Sequence, residues 1–145
     1  MNVAVVYWSG TGNTEEMAKA VASGIEKAGA DTGVKADVYT SATFSNAEMG
    51  KYEKIAFGCP AMGDEVLEED EFDPMFTSLE SSLKGKKIVL FGSYDWGDGL
   101  WMKDWGKRSV SKGATLVGKG LIVNMSPGHD DLVDCEELGS ELVRA

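Results

Sequence analysis

The sequence predicts an α/β fold: a doubly wound, five-stranded parallel sheet with helices on both faces. Two observations carry that expectation. Apolar runs bounded by turn residues recur at Val3–Trp8, Val34–Tyr39, Lys54–Cys59, Lys87–Gly92 and Thr115–Val123. Their β-branched and aromatic content, with little polar alternation, suits strands covered on both sides. Between them lie segments of helical spacing, so the order reads β-α-β-β-α-β-α-β-α, the pattern of a parallel sheet wound by crossover helices. No repeat, linker or low-complexity stretch interrupts it, and residues 1–145 are expected to form one domain.

The helices follow in order. Met17, Val21 and Ile25 repeat every four residues beside Ala18 and Ala22, in a helix beginning near Asn13 whose exit is bracketed by Gly29 and Gly33. A short turn is expected around Asn46–Met49. Phe72, Met75, Phe76, Leu79 and Leu83 mark the next stripe, with Pro74 in the first turn, where a missing N–H does no harm. Trp101, Met102 and Trp105 form a weaker stripe that Gly106 interrupts, and Leu132, Cys135, Leu138 and Leu142 close the chain.

Charge and composition exclude several classes of function. With 24 acidic against 14 basic residues the net charge is −10, which disfavours nucleic acid and anionic membrane and favours a basic partner surface. No stretch is long and apolar enough to span a bilayer, and the N-terminus lacks the pattern of a secretory signal, so a cytoplasmic protein is expected. Cys59 and Cys135 are too far apart in sequence for a metal-ligand spacing and read as core residues. The single His129, beside Asp130 and Asp131, reads as a loop residue.

The most informative stretch is Trp8-Ser9-Gly10-Thr11-Gly12-Asn13-Thr14, between the first strand and the first helix. Unpaired backbone N–H groups at such a helix start converge on one point and bind anions, although Gly/Ser/Thr loops also serve as plain turns. The loop has no lysine, so it is not a triphosphate-binding loop, and Glu15 stands where a dinucleotide fingerprint needs its third glycine. Three hydroxyls (Ser9, Thr11, Thr14) and a run of amides suit one terminal phosphate.

Ligands of doubly wound sheets collect at the carboxyl ends of the strands. Two further unusual loops fall there, Pro60-Ala61-Met62-Gly63-Asp64-Glu65 after the third strand and Ser93-Tyr94-Asp95-Trp96-Gly97-Asp98-Gly99 after the fourth. Singly, Met62 and Trp96 are ordinary loop hydrophobes. Sharing one edge with a phosphate cradle, they can hold a flat apolar ring between an indole and a thioether.

Together these words resemble the short-chain flavodoxins of anaerobic bacteria. Val-Tyr-Trp-Ser-Gly-Thr-Gly-Asn-Thr-Glu at 6–15, Gly-Cys-Pro-Ala-Met-Gly-Asp-Glu at 58–65 and Phe-Gly-Ser-Tyr-Asp-Trp-Gly-Asp-Gly at 91–99 carry the resemblance, which spans essentially the whole chain. Longer family members carry an insertion within the fifth strand, for which 114–124 leaves no room. The resemblance implies a flavodoxin-like sheet of order 2-1-3-4-5 and non-covalent FMN. It places the phosphate on residues 9–14 and the isoalloxazine between Met62 and Trp96. It further implies that amides of 94–98 lie near the pyrimidine oxygens and that Glu65 accepts from the ring N3–H. Trp8 either reaches the phosphate or ribityl side or belongs to the core.

The implied function is a low-potential one-electron carrier, not an enzyme, cycling mainly between neutral semiquinone and anionic hydroquinone. Its implied partners are redox proteins with basic docking surfaces, met by a monomer in transient complexes. In the family the Gly63 carbonyl turns to accept from the protonated flavin N5, and glycine suits that step because it tolerates positive φ; a tight turn would prefer glycine too. Residues 64–73 hold seven acids and no base. A solvated face is the plain reading. A carboxylate about 10 Å from the ring also opposes added negative charge by roughly 0.4–1.7 kcal/mol, which is on the order of 17–70 mV for a one-electron couple.

Asp95 departs from the pattern, since close relatives usually have glycine there. Asp fits a positive φ less well than glycine and adds a carboxylate beside the pyrimidine end of the ring, so altered potentials or weaker FMN binding are expected, with no change of function. A flavin reductase on the same fold would need a nicotinamide or quinone site above the ring, which Trp96 and Met62 are expected to cover. A phospho-receiver domain needs acids after the first strand and an Asp after the third. Here those positions read Tyr7-Trp8-Ser9 and Gly58-Cys59-Pro60.

Overall fold

A computed structural model describes all residues, 1–145. Its element order is β1 (Asn2–Tyr7), α1 (Asn13–Ala28), β2 (Lys35–Thr40), α2 (Asn46–Met49), β3 (Lys54–Gly58), α3 (Phe72–Leu79), β4 (Lys87–Tyr94), α4 (Leu100–Ser111), β5 (Thr115–Leu116), β6 (Leu121–Asn124) and α5 (His129–Arg144). The sheet runs β2-β1-β3-β4-β5, every pairing is parallel, and β6 continues the β5 lane along β4. One row across its centre, Ala4–Ile55–Ile88–Leu116, fixes the register.

The period-two alternation of each strand sorts the core into two layers. Val3, Val5, Ala56, Val89 and Phe91 face α1 and α5. Ala4, Val6, Ile55, Phe57, Ile88 and Leu90 face the layer containing α3 and α4, where Phe72, Phe76 and Trp105 pack mostly edge to face. Helices α1 and α5 touch through Gly24 and Gly139: a Cβ on Gly24 would lie 1.9 Å from the Glu136 carbonyl oxygen, and one on Gly139 2.2 Å from that of Val21. Both cysteines are buried, and burial raises both thiols, Cys135 to about 12. No helix is long and apolar enough to cross a membrane.

Three expectations need correction. The fifth run is not one strand: it pairs with β4 at Thr115–Leu116, leaves the sheet, and pairs again from Leu121. The excursion contains Gly118, at φ +68, and Gly120, where a Cβ would lie 2.4 Å from Met102 Sδ. The thioether thus occupies the place a side chain at 120 would need. Secondly, α4 runs unbroken through Gly106, because its buried face (Trp101, Met102, Trp105) outweighs one poor helix former. Thirdly, His129 is not in a loop but opens α5, where Asp131 accepts from the Gly128 N–H at 2.8 Å.

Candidate functional site

The carboxyl ends of β1, β3 and β4 bring the three loops to one edge. Trp8 stays tied to the sheet through its N–H to the Gly58 carbonyl at 3.0 Å, and the chain then turns away into α1. Ser9 shapes the turn: its Oγ accepts from the amides of Gly12 (3.1 Å) and Glu15 (3.3 Å). Gly12, at φ +96, precedes the helix without a side-chain cap. The amides of Ser9, Gly10, Thr11 and Thr14 therefore donate to no protein acceptor. They sit at the positive end of a 16-residue helix, with no lysine or arginine in the loop. The Trp8 ring lies beneath Gly10, 3.0 Å from where a Cβ would stand, and packs against the core.

Thr14 differs from the other hydroxyls. It is buried, its Oγ1 is 3.0 Å from Ser93 Oγ and it accepts from the Ser93 N–H at 3.4 Å. It joins the first loop to the end of β4, a role its spacing did not announce.

The second loop is a tight hairpin. Met62 and Val66 exchange both backbone hydrogen bonds, at 2.8 and 2.9 Å, around Gly63-Asp64-Glu65. Gly63 has φ +50 and Glu65 φ +58, the latter uncommon outside glycine. A Cβ on Gly63 would meet nothing within 4 Å. The Glu65 side chain reaches across to α4, where Oε1 accepts from the amides of Gly99 (3.2 Å) and Leu100 (3.0 Å). A carboxylate at a helix N-terminus is stabilised by the free N–H groups and the dipole. Gly97, at φ +89, fits against that carboxylate, with 2.5 Å between its ideal Cβ position and Glu65 Cδ.

The third loop carries Tyr94, half-buried against Trp101 with ring centroids 5.6 Å apart, and then the exposed Asp95, Trp96 and Asp98. Asp95 is not in the left-handed region; Gly97 and Gly99 take the positive φ angles instead. The expectation of backbone strain at Asp95 is thereby removed, and only its charge remains. Asn124, one residue past the fifth apolar run and given no role from the sequence, holds this loop: its Nδ2 donates to the Tyr94 carbonyl at 3.1 Å.

Eleven sequence-predicted residues line one small cavity of about 90 Å³: Trp8, Ser9, Gly10, Thr11 and Thr14 from the first loop; Pro60, Ala61 and Met62 from the second; Ser93, Tyr94 and Asp95 from the third. Gly12, Asn13, Gly63, Asp64, Glu65, Trp96, Gly97 and Asp98 do not line it. Met62 and Trp96 are both exposed, Trp96 by 61%. The enclosed volume is well below the roughly 300–1,000 Å³ of pockets that enclose whole drug-sized ligands.

The acidic run divides into two kinds of carboxylate. Glu68 is buried and accepts from the amides of Asp70, Glu71 and Phe72, each at 2.8 Å, at the start of α3. Asp73 is ion-paired with Arg108 at 2.8 Å, and Arg108 also binds Glu80 at 3.0 Å. The guanidinium's hydrogen bond holds the Glu80 carboxyl below its ordinary value. Asp64, Glu69, Asp70 and Glu71 remain exposed without an ion pair. The reading of 64–73 as one solvated face thus misses Glu65, Glu68 and Asp73. An acid just ahead of a helix start was the available signal for Glu68.

Comparison with known proteins agrees with this arrangement. The family model described as Flavodoxin matches residues 5–139. The flavodoxin of Megasphaera elsdenii is 44% identical over 99% of both chains, and that of Clostridium beijerinckii 42% identical over 95% of this chain and 96% of its own. The solution structure of the two-electron reduced Megasphaera elsdenii protein superposes with a TM-score of 0.88, covering 99% of each chain at 42% identity. With that fold, those three loops and this similarity from end to end, the chain belongs to the flavodoxin family.

Proposed function

We propose that residues 1–145 form a single FMN-binding unit and a low-potential one-electron carrier. It works mainly between the one- and two-electron reduced forms and passes electrons between redox proteins of the cytoplasm. Family membership makes the chain an FMN-binding electron carrier without a substrate of its own. The finer reading rests chiefly on one observation: four amides without a protein acceptor cluster in the loop at the N-terminus of α1, with no cation in the loop.

The donor set fits a phosphate monoester, since convergent amides and a helix dipole bind such a group without a countercharge. Ser9 holds the loop in shape through the Gly12 and Glu15 amides, and Thr14 locks it to β4. The small enclosed volume suits the phosphate end, and the ring end falls to the exposed Met62 and Trp96, one from each flanking loop. FMN supplies reversible one-electron chemistry at its isoalloxazine. The hairpin 62–66 supplies backbone freedom, because Gly63 has open space around it and its peptide is held only through Met62 and Val66. Glu65 Oε2 makes no protein hydrogen bond while Oε1 caps α4, which leaves one oxygen to accept from the ring. Asp64, Glu69, Asp70 and Glu71 supply negative field for basic partners in transient encounters of a monomer.

The test is titration of the purified protein with FMN and with riboflavin, followed by fluorescence. FMN should bind more tightly by the phosphate's contribution, and equal affinities would reject the phosphate role of 9–14. Mixing the FMN-loaded protein with NADPH should leave the flavin oxidised; direct bleaching would favour a reductase.

A further inference from the structure

The largest cavity is not at the three loops. A groove of about 680 Å³ lies between α4 and the strand break that separates β5 from β6, running from Asp98 to Ser111. Its floor is Met102, Gly106, Leu116 and Ile122, and its rim carries Lys103, Lys107 and Lys119. All three lysines are exposed and none forms an ion pair.

Charge is distributed unevenly around it. Residues 99–120 contain five of the chain's 14 basic residues (Lys103, Lys107, Arg108, Lys112, Lys119) and one of its 24 acids, Asp104. Asp104 lines a different cavity, together with Trp105 and Arg108. The groove's own lining includes a single carboxylate, Asp98, with Glu141 of α5 3.1 Å from the ideal Cβ position of Gly118. In a chain of net charge −10 this is a basic-rimmed apolar groove.

Two further features open it. Gly106 lies within α4, where glycine is among the poorest residues, yet an alanine Cβ there would make only an ordinary 3.4 Å contact with Leu116. Packing does not demand glycine at 106; its effect is a lower floor. At the strand break the backbone groups of Gly118, Lys119 and Gly120 make no hydrogen bond within the protein. They lie off the sheet beside its edge strand, with backbone donors and acceptors left for another polypeptide.

We propose that this groove docks an acidic, amphipathic peptide segment of a partner protein, with apolar side chains on the Met102–Ile122 floor and carboxylates against Lys103, Lys107 and Lys119. The unpaired backbone at 118–120 selects a polypeptide over a hydrocarbon chain, and the three rim lysines select acids. Asp98 and Gly99 join the groove to the loop carrying Trp96, so a docked segment lies beside the proposed ring site. The surface is opposite in sign to Asp64–Glu71, and a partner bearing both signs would be oriented by the pair.

The test is selection from a random display library of peptides about as long as the 12-residue α4, on the purified protein, with synthetic copies of the winners measured by fluorescence anisotropy. Winners should combine Asp or Glu with Leu, Ile or Phe, and their amide shift changes should fall on α4 and residues 117–122. The double variant Lys103→Glu, Lys107→Glu, checked by circular dichroism and FMN titration, should bind them at least about tenfold more weakly; Glu69→Lys should not. Gly106→Leu should also weaken binding by filling the floor. Winners that are neutral or basic, acidic winners indifferent to the lysine changes, or no enrichment would each overturn the proposal. So would a dimer in sedimentation that the lysine changes disperse, or uptake of decanoate without any peptide. FMN titration is read separately, so failure here is distinguishable from failure of the flavin site.

Discussion

The loop at 8–14 and the hairpin at 62–66 share one edge of the sheet and are held in opposite ways. The first is fixed from inside by side chains: Ser9 binds two of its amides, and Thr14 is buried against Ser93. What it leaves over is a fixed set of donors. The hairpin is closed by two backbone bonds and tied to α4 through the Glu65 carboxylate alone, with positive φ at Gly63 and Glu65 and open space around Gly63. Fixed donors suit an anchor whose charge does not change. A loop with conformational latitude and carboxylates suits the end of a cofactor whose charge and protonation do. On the function proposed above, this comparison assigns binding strength to the first loop and redox behaviour to the second.

The comparison can be broken most forcefully at Glu68, which supports the hairpin side by starting α3. Glu68→Ala strands three buried or half-buried amides and should lower the unfolding free energy in urea by about 2–4 kcal/mol, whereas exposed Glu69→Ala should change it by less than about 0.5 kcal/mol. Equal losses would mean that the acids are not of two kinds.

Ser9→Ala acts on the anchor. Two amides lose their acceptor and the loop its shape, so the FMN dissociation constant should rise by about 10- to 100-fold, or roughly 1.4–2.7 kcal/mol. Riboflavin affinity should stay unchanged, and a parallel loss for riboflavin would show that Ser9 supports the ring and not the phosphate.

Gly63→Ala should separate stability from redox behaviour. The new methyl meets nothing, so the fold loses only the cost of left-handed backbone at alanine, about 1–2 kcal/mol. The yield of one-electron reduced protein in a reductive titration should fall with it, while the Ser9 variant, once saturated with FMN, should keep it. An unchanged yield in Gly63→Ala would remove the hairpin's special role.

Neutralising Glu69 and Asp70 to Gln and Asn should raise the second reduction potential. The expected change is on the order of 17–70 mV for each carboxylate about 10 Å from the ring. Spectroelectrochemistry should find the shift smaller at high salt. The smallest effect concerns acid stability. Glu80 has its carboxyl lowered from 4.5 by Arg108, so the pair stabilises the fold above that pH and the contribution is lost as pH falls through the depressed value. Arg108→Met should flatten this part of the acid limb in pH-dependent unfolding.

Much of this was legible in the chain itself. Strand cores such as Val3–Val6 and Ile88–Phe91 are apolar on both faces, and a strand buried on both faces has little sequence freedom, so they announce themselves. The loop words at 9–14, 60–65 and 93–98 were legible for a related reason: glycines and hydroxyls at strand ends follow from backbone geometry that is local in sequence. Less legible was anything decided by a contact distant in sequence. Glu65 and Glu68 look alike within an acid run, yet one caps α4, 34 residues on, and the other starts α3.

The sequence alone therefore determined the layer order, the two-faced sheet, the family resemblance and the edge on which the three loops meet, because periodicity and turn chemistry act over a few residues. Tertiary structure decided which carboxylates are structural and which face solvent. It also decided that Thr14 locks to Ser93 and that Asp95 is unstrained. It broke the fifth strand at 117–120, where Met102 of α4 fills the space beside Gly120 and leaves a basic groove. Each of those outcomes depends on what another element, far along the chain, places against the residue, and no local pattern carries that information.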